Sequence, residues 1–162
     1  MSGILLLTRI DLDALYPPFV DKLIQLVGNC QDKGAHYYAV SGLRTYSEQT
    51  KLYEQGRSRP GPKVTNAQAG ESAHNFGLAV DFVRDGVVDR RGLQPDWAPE
   101  SYTTLGVEAA ALGLEWGGHF KNFDGPHIQW PGFVTAAQME PLRREYEAGG
   151  LSAVWAFLGK AA

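Results

Sequence analysis

Apolar residues recur at helical spacing early in the chain. Phe19, Leu23, Leu26 and Val27 share one face, which predicts a helix from roughly Pro18 to Lys33, ended by Gly34. Ala35 to Ser41 then turns β-rich, with Tyr37, Tyr38 and Val40, and is expected to be a strand. Thr45-Tyr-Ser-Glu48 has the form of a capping box, so a second helix should open there and stop near Gly56. Gly56 to Gly70 carries Pro60, Gly61, Pro62 and Asn66, too much punctuation for a regular element; it is expected to be a functional loop bordering a cleft.

Beyond the loop, Leu78 to Val83 alternates as a short strand, with Leu78, Val80 and Phe82 on one face and Ala79, Asp81 and Val83 on the other. Pro99 to Leu112 is a predicted helix capped by Gly113, and His127 to Trp130 a further strand. Thr135-Ala-Ala-Gln138 forms a second capping box, opening a helix to about Ala148. Leu151, Val154, Trp155 and Leu158 give a last short amphipathic helix. Helices and short strands that do not alternate regularly predict an α+β class, a small antiparallel sheet flanked by helices. Residues 1–162 are expected to form one domain, with the chemistry within 40–130 and closing helices over 131–162.

Composition changes this picture little. The chain has 162 residues, 44% hydrophobic and 20% charged, with 19 glycines that suit tight turns. A net charge of -3 argues against a general nucleic-acid binder. The single cysteine, Cys30, forms no internal disulfide and no Cys-rich metal site, and falls on the first helix as a small buried hydrophobe. No apolar run is long enough to span a membrane, and Gly3 to Leu7 is too short for a secretory core. The expectation is a protein made in the cytoplasm with no export signal, without stable membrane insertion.

Two segments carry the candidate chemistry: Glu71-Ser-Ala-His-Asn-Phe-Gly-Leu-Ala-Val-Asp-Phe82 and Asp124-Gly-Pro-His-Ile-Gln-Trp130. A catalytic zinc site uses three protein ligands of nitrogen or carboxylate type and keeps one position open. His74, Asp81 and His127 supply such a set. On one flat strand His74 and Asp81 would face opposite ways, so a turn at Gly77 must fold His74 back over Asp81. His127 and Gln129 are expected on one side of the neighbouring strand. Asp124, brought beside the metal by the Gly125-Pro126 turn without ligating it, is placed as general base. Its bland alternative is a turn residue of an Asp-Gly pair.

The spacing Ser72-Ala-His74, Asp81, then Asp124-Gly-Pro-His127 resembles the peptidase family that contains phage L-alanyl-D-glutamate endopeptidases, with D-alanyl-D-alanine dipeptidases and carboxypeptidases as wider relatives. Val64 to Phe82 is similar to the endopeptidase branch in particular. Ser41-Gly-Leu-Arg-Thr-Tyr-Ser-Glu-Gln49 and Glu115-Trp-Gly-Gly118 match as well, so the resemblance runs from Val40 to Trp130. It implies a fold shared with hedgehog-type signalling domains, and Zn2+ held by His74, Asp81 and His127. It implies Asp124 as catalytic base, Arg44 as the donor that steadies the oxyanion, and Ser72 and Gln49 as substrate contacts. Ser72 has the alternative of capping the turn that presents His74, and Arg44 that of a surface ion pair.

His119 departs from the pattern, which often has tryptophan there, and is expected to line a groove or the surface rather than bind metal. His36 has no assigned role, and Trp97, Trp116, Trp130 and Trp155 are expected in the core or the groove. The resemblance implies a monomeric lysin that acts on peptidoglycan stem peptides after release from a phage-infected host, with no nucleic acid as partner. Two alternatives stay open: a D-alanyl-D-alanine dipeptidase or carboxypeptidase, and a non-catalytic zinc-containing binding module.

Overall fold

The structure, a computed structural model, describes residues 3–161. Met1, Ser2 and Ala162 of the predicted domain span lie outside the described residues. Helix α1 (Pro17–Asp32) opens with prolines in its first turn and turns Phe19, Leu23, Leu26, Val27 and Cys30 inward as one buried stripe. Each such side chain, fully buried, contributes roughly 1.5–3 kcal/mol. Strand β1 (Tyr37–Ser41) follows, then α2 (Tyr46–Glu54), whose start is fixed by the predicted capping box: Glu48 N–H donates to Thr45 Oγ1, and Thr45 N–H to the Glu48 carboxylate.

Strands β2 (Ala79–Asp85), β3 (Pro95–Asp96), β4 (Glu115–Trp116) and β5 (His127–Gln129) complete an antiparallel sheet. Its order is β1-β2-β5-β4, with β3 pairing the far end of β2 at Arg84 and Asp85. The two-residue strands β3 and β4 have no predicted counterpart. Helix α3 (Thr103–Ala111) is preceded by a tighter 3-10 turn, Pro99–Tyr102, so the predicted Pro99 helix is two pieces. Helices α1 and α3 pack on each other and on the sheet, and the Gly3–Leu7 turn adds Leu6 and Leu7 to the same core.

The final element, α4 (Glu140–Ala161), is broken at Gly149 and Gly150, the latter at φ +69°, which reproduces the two predicted closing helices. The second capping box forms between Thr135 and Gln138, but the α-helix starts five residues later. Pro141 has no N–H to give to Ala137, and Met139 and Glu140 instead close short turns onto Ala136 and Ala137. The described residues form an α+β domain with four α-helices and an open five-stranded sheet.

Candidate metal centre and its cleft

The register of β2 and β5 sets Asp81 directly opposite His127. His74 comes from the 3-10 turn Ala73–Phe76, which Gly77 terminates in the left-handed conformation at φ +69°. A Cβ at Gly77 would lie 2.6 Å from the Ala14 carbonyl oxygen, so glycine is required twice over, by dihedral and by space. The turn folds His74 back to within 3.3 Å of Asp81 Oδ2 through Nε2, while His127 Nδ1 lies 3.2 Å from Asp81 Oδ1. One ligand atom from each of the three residues lies within 4.8 Å of the others.

The far side of each imidazole decides which atoms face inward. His74 Nδ1 is 2.8 Å from the Gly42 carbonyl oxygen, which only accepts, so that nitrogen carries the proton. Gln129 donates through Nε2 to the Phe133 carbonyl at 2.8 Å, which turns its Oε1 toward His127 Nε2 at 2.8 Å. His127 therefore donates through Nε2. Two ring lone pairs are left facing one carboxylate, an arrangement of acceptors that calls for a cation between them. Burial alone would raise the Asp81 pKa; with the imidazoles protonated instead, the His74 charge and hydrogen bonds from both rings would outweigh burial and hold the carboxyl well below the usual range. Burial likewise opposes charge on His127, but its contact with Asp81 raises it.

Around this group lies a cleft of about 490 Å³, lined by Arg44, Ser72, His74, Asp81, Asp124 and His127 on its polar side. Val40, Leu52, Val64, Trp97 and Pro126 form its apolar side. Asp124 is half exposed, with Oδ2 3.9 Å from His127 Nδ1. Partial burial raises its pKa, His127 opposes this, and the Asp81 charge adds to it. The Asp124 amide is bound to the Gly117 carbonyl, and any side chain at Gly117 would strike the Asp124 backbone and the His127 Cβ. Arg44 places Nη2 4.0 Å from Asp81 Oδ2, and its backbone is tied to the metal turn: its N–H donates to His74 O, and its carbonyl accepts from Asn75 Nδ2.

A family model described as VanY: D-alanyl-D-alanine carboxypeptidase matches residues 13–117. The chain belongs to the VanY family. It is 36% identical over 127 residues to the peptidoglycan L-alanyl-D-glutamate endopeptidase CwlK of Bacillus subtilis (strain 168), covering 71% of this chain and 72% of that one. Among solved structures it is similar to the L-Ala D-Glu endopeptidase ChiX of Serratia marcescens, at a TM-score of 0.54 and 26% identity over 73% of this chain and 81% of that one. The fold is also shared with VanYB in complex with D-alanine-D-alanine, at a TM-score of 0.54 and 18% identity over 83% of each chain.

The VanY match stops at Gly117, before Asp124 and His127, whose placement rests on the sheet register and the Gly117 approach. Ser72 lines the cleft, and its hydroxyl accepts from the His74 N–H at 3.3 Å, capping the turn that presents His74. Gln49 is fully buried behind the cleft: its Oε1 accepts from Arg44 Nη1 at 3.1 Å, and its Nε2 donates to the Ala67 carbonyl at 2.8 Å. His119 stands outside the metal group, edge-on to Trp116 and lining a separate pocket. The loop from Gly56 to Gly70 borders the cleft through Val64 and Thr65 and is organised by Arg57, which bonds to Tyr53, Thr65 and Asn66.

Sequence reasoning missed Asn75 and the Gly42 carbonyl, and set Gln129 beside His127 without giving it a role. Asn75 is buried and bonds through both ends of its amide: Oδ1 accepts from the Gly70 and Ser72 N–H groups, and Nδ2 donates to the Arg44 carbonyl. Its signal was its place at the third position of a turn opened by Ser72. Gln129 had a signal too, sharing a strand face with His127.

Proposed function

We propose that this chain is a zinc-dependent peptidoglycan endopeptidase that hydrolyses the L-alanyl-D-glutamate bond of stem peptides. The observation that carries the reading is the convergence of three lone-pair donors, from His74, Asp81 and His127, on one point of an open cleft that also holds Asp124 and Arg44. Two nitrogens and a carboxylate suit zinc, and three protein ligands leave a position free for catalysis. When bound, zinc supplies Lewis acidity toward a carbonyl oxygen and toward water.

The chain's own residues do the rest. Arg44, held by Gln49 and by the His74 turn, donates to the scissile carbonyl oxygen as negative charge grows on it. Asp124 takes the proton of the attacking water and passes it to the departing amide nitrogen. Ser72 offers a hydroxyl at the cleft wall to the substrate backbone. The choice of bond is supported by the 36% identity to the Bacillus endopeptidase. Action as a monomeric phage lysin, made in the host cytoplasm and released to the wall, extends the same reading.

The test compares wild type with Asp124→Ala for bound zinc and for products of peptidoglycan digestion, identified by mass. We expect stoichiometric zinc in both, new ends at the alanyl-glutamyl bond with wild type, and a loss of about 10²–10⁴-fold in the variant. Release of D-alanine instead would make the chain a carboxypeptidase. Zinc without any cleavage would make it a binding module.

A further inference from the structure

Among the four tryptophans, three have their rings packed. Trp116 bonds through Nε1 to the Gly125 carbonyl, Trp155 to the Phe76 carbonyl, and Trp130 lies edge-on to Tyr16 and Phe19. Trp97 differs: it is 58% exposed and lines the catalytic cleft. Val64 and Val40, at 53% and 39% exposure, line the same cleft, so large exposed apolar groups gather at this site. Apolar surface of this kind clustered at a cleft marks where a ligand is received.

The backbone around Trp97 is fixed. Pro95–Asp96 pairs with β2 at Arg84 and Asp85. The Asp96 carboxylate accepts from Ala98 N–H at 2.9 Å and from Ser101 Oγ at 2.5 Å, while the Asp96 carbonyl accepts from the Tyr102 hydroxyl at 3.1 Å. The indole thus stands on a rigid mount at the cleft edge, where little ordering is needed to use it.

What meets this indole follows from the substrate's chemistry. Around the alanyl-glutamyl bond the stem peptide offers a methyl group and carboxylates, none of which calls for a flat aromatic surface. The next group on the amino side is the lactyl-linked N-acetylmuramyl sugar, whose pyranose ring presents a face of C–H bonds that stacks on indole. We infer that Trp97, which shares the cleft lining with Val40 and Val64, is a platform for the amino sugar that bears the stem peptide, so that the enzyme prefers stems still attached to glycan. The inference rests on the proposed choice of bond.

The test measures kcat and KM for zinc-loaded wild type, Trp97→Ala and Trp97→Tyr on two substrates: a disaccharide-linked stem tetrapeptide and the same tetrapeptide without sugar. Zinc content and unfolding midpoint establish that each variant is folded. Wild type is expected to favour the sugar-linked substrate. Trp97→Ala should cut that preference about tenfold, the order expected for one aromatic contact, through KM rather than kcat. Trp97→Tyr should restore most of it. If wild type cuts the alanyl-glutamyl bond of both substrates equally well, or Trp97→Ala lowers both alike, the platform is refuted while the proposed activity stands. If wild type cuts that bond in neither, the activity itself falls, and the platform with it.

Discussion

Gln129 is a single side chain on which the tautomer of a proposed metal ligand, His127, depends. Its amide is oriented by the Phe133 carbonyl and in turn fixes which nitrogen of His127 faces Asp81. Gln129→Leu keeps the volume and removes the acceptor. Zinc affinity, measured by competition with a chromophoric chelator, should fall about 10–100-fold; unchanged affinity would show that Asp81 alone orients the ring. Cys30 is the opposite kind of residue. Burial, reinforced by Glu108, pushes its thiol from 9.0 up to about 12, as burial pushes the Tyr46 phenol from 10.0 to about 12. Both stay neutral in the fold and ionise sooner once unfolded. Their stabilisation is therefore intact below about pH 9 and lost as pH rises toward 12. Denaturation midpoints taken from pH 8 upward should decline through that window, and native Cys30 should resist alkylation at neutral pH. The burial of Cys30 on its helix was legible from its place among the apolar positions. The grouping of His74, Asp81, Asp124 and His127 in one cleft was legible from two short diagnostic strings. The parts played by Gln49, Asn75 and the Gly42 carbonyl were not. They depend on contacts between segments distant in the chain, such as Gly42 O with His74, that no local pattern encodes.

The elements that present the site are short and depend on backbone geometry more than on propensity. Gly77 and Gly34 both have positive φ, +69° and +74°, but only Gly77 has the Ala14 carbonyl where a side chain would go. Gly34→Ala should cost about 1 kcal/mol from the left-handed conformation alone. Gly77→Ala should cost about 2–3 kcal/mol, with overpacking added to that strain. Equal shifts of the urea midpoint in the two variants would remove the packing half of the argument. Helices α1 and α2 were readable because a periodic stripe and a reciprocal cap are local facts. Strands β3 and β4 were not, since two residues have no period, and their pairing is decided by β2 and β5. The start of α4 was misjudged because the capping box at Thr135 outranked the missing N–H of Pro141 in a local reading.

At the scale of the whole molecule the three proposed ligands come from separate segments: a turn after the cleft loop, the middle of β2, and the first residue of β5. A metal bound there holds the native state against the unfolded chain. Free zinc at a hundred times Kd should add about 2.7 kcal/mol of stability. Calorimetry should show a higher Tm with zinc and a lower one with a chelator, and Asp81→Ala should abolish the difference. The α+β class was visible from the mix of periods, but the sheet order was not, because it requires β5 to enter between β2 and β4. That insertion has a consequence for biosynthesis. On the ribosome β5 is the last strand of the described fold to emerge, and it brings the third proposed ligand, with the proposed base just ahead of it. A nascent chain that has exposed only the first motif carries two of the three proposed ligands and lacks the proposed base, so the candidate centre is completed late in translation, when β5 closes the sheet.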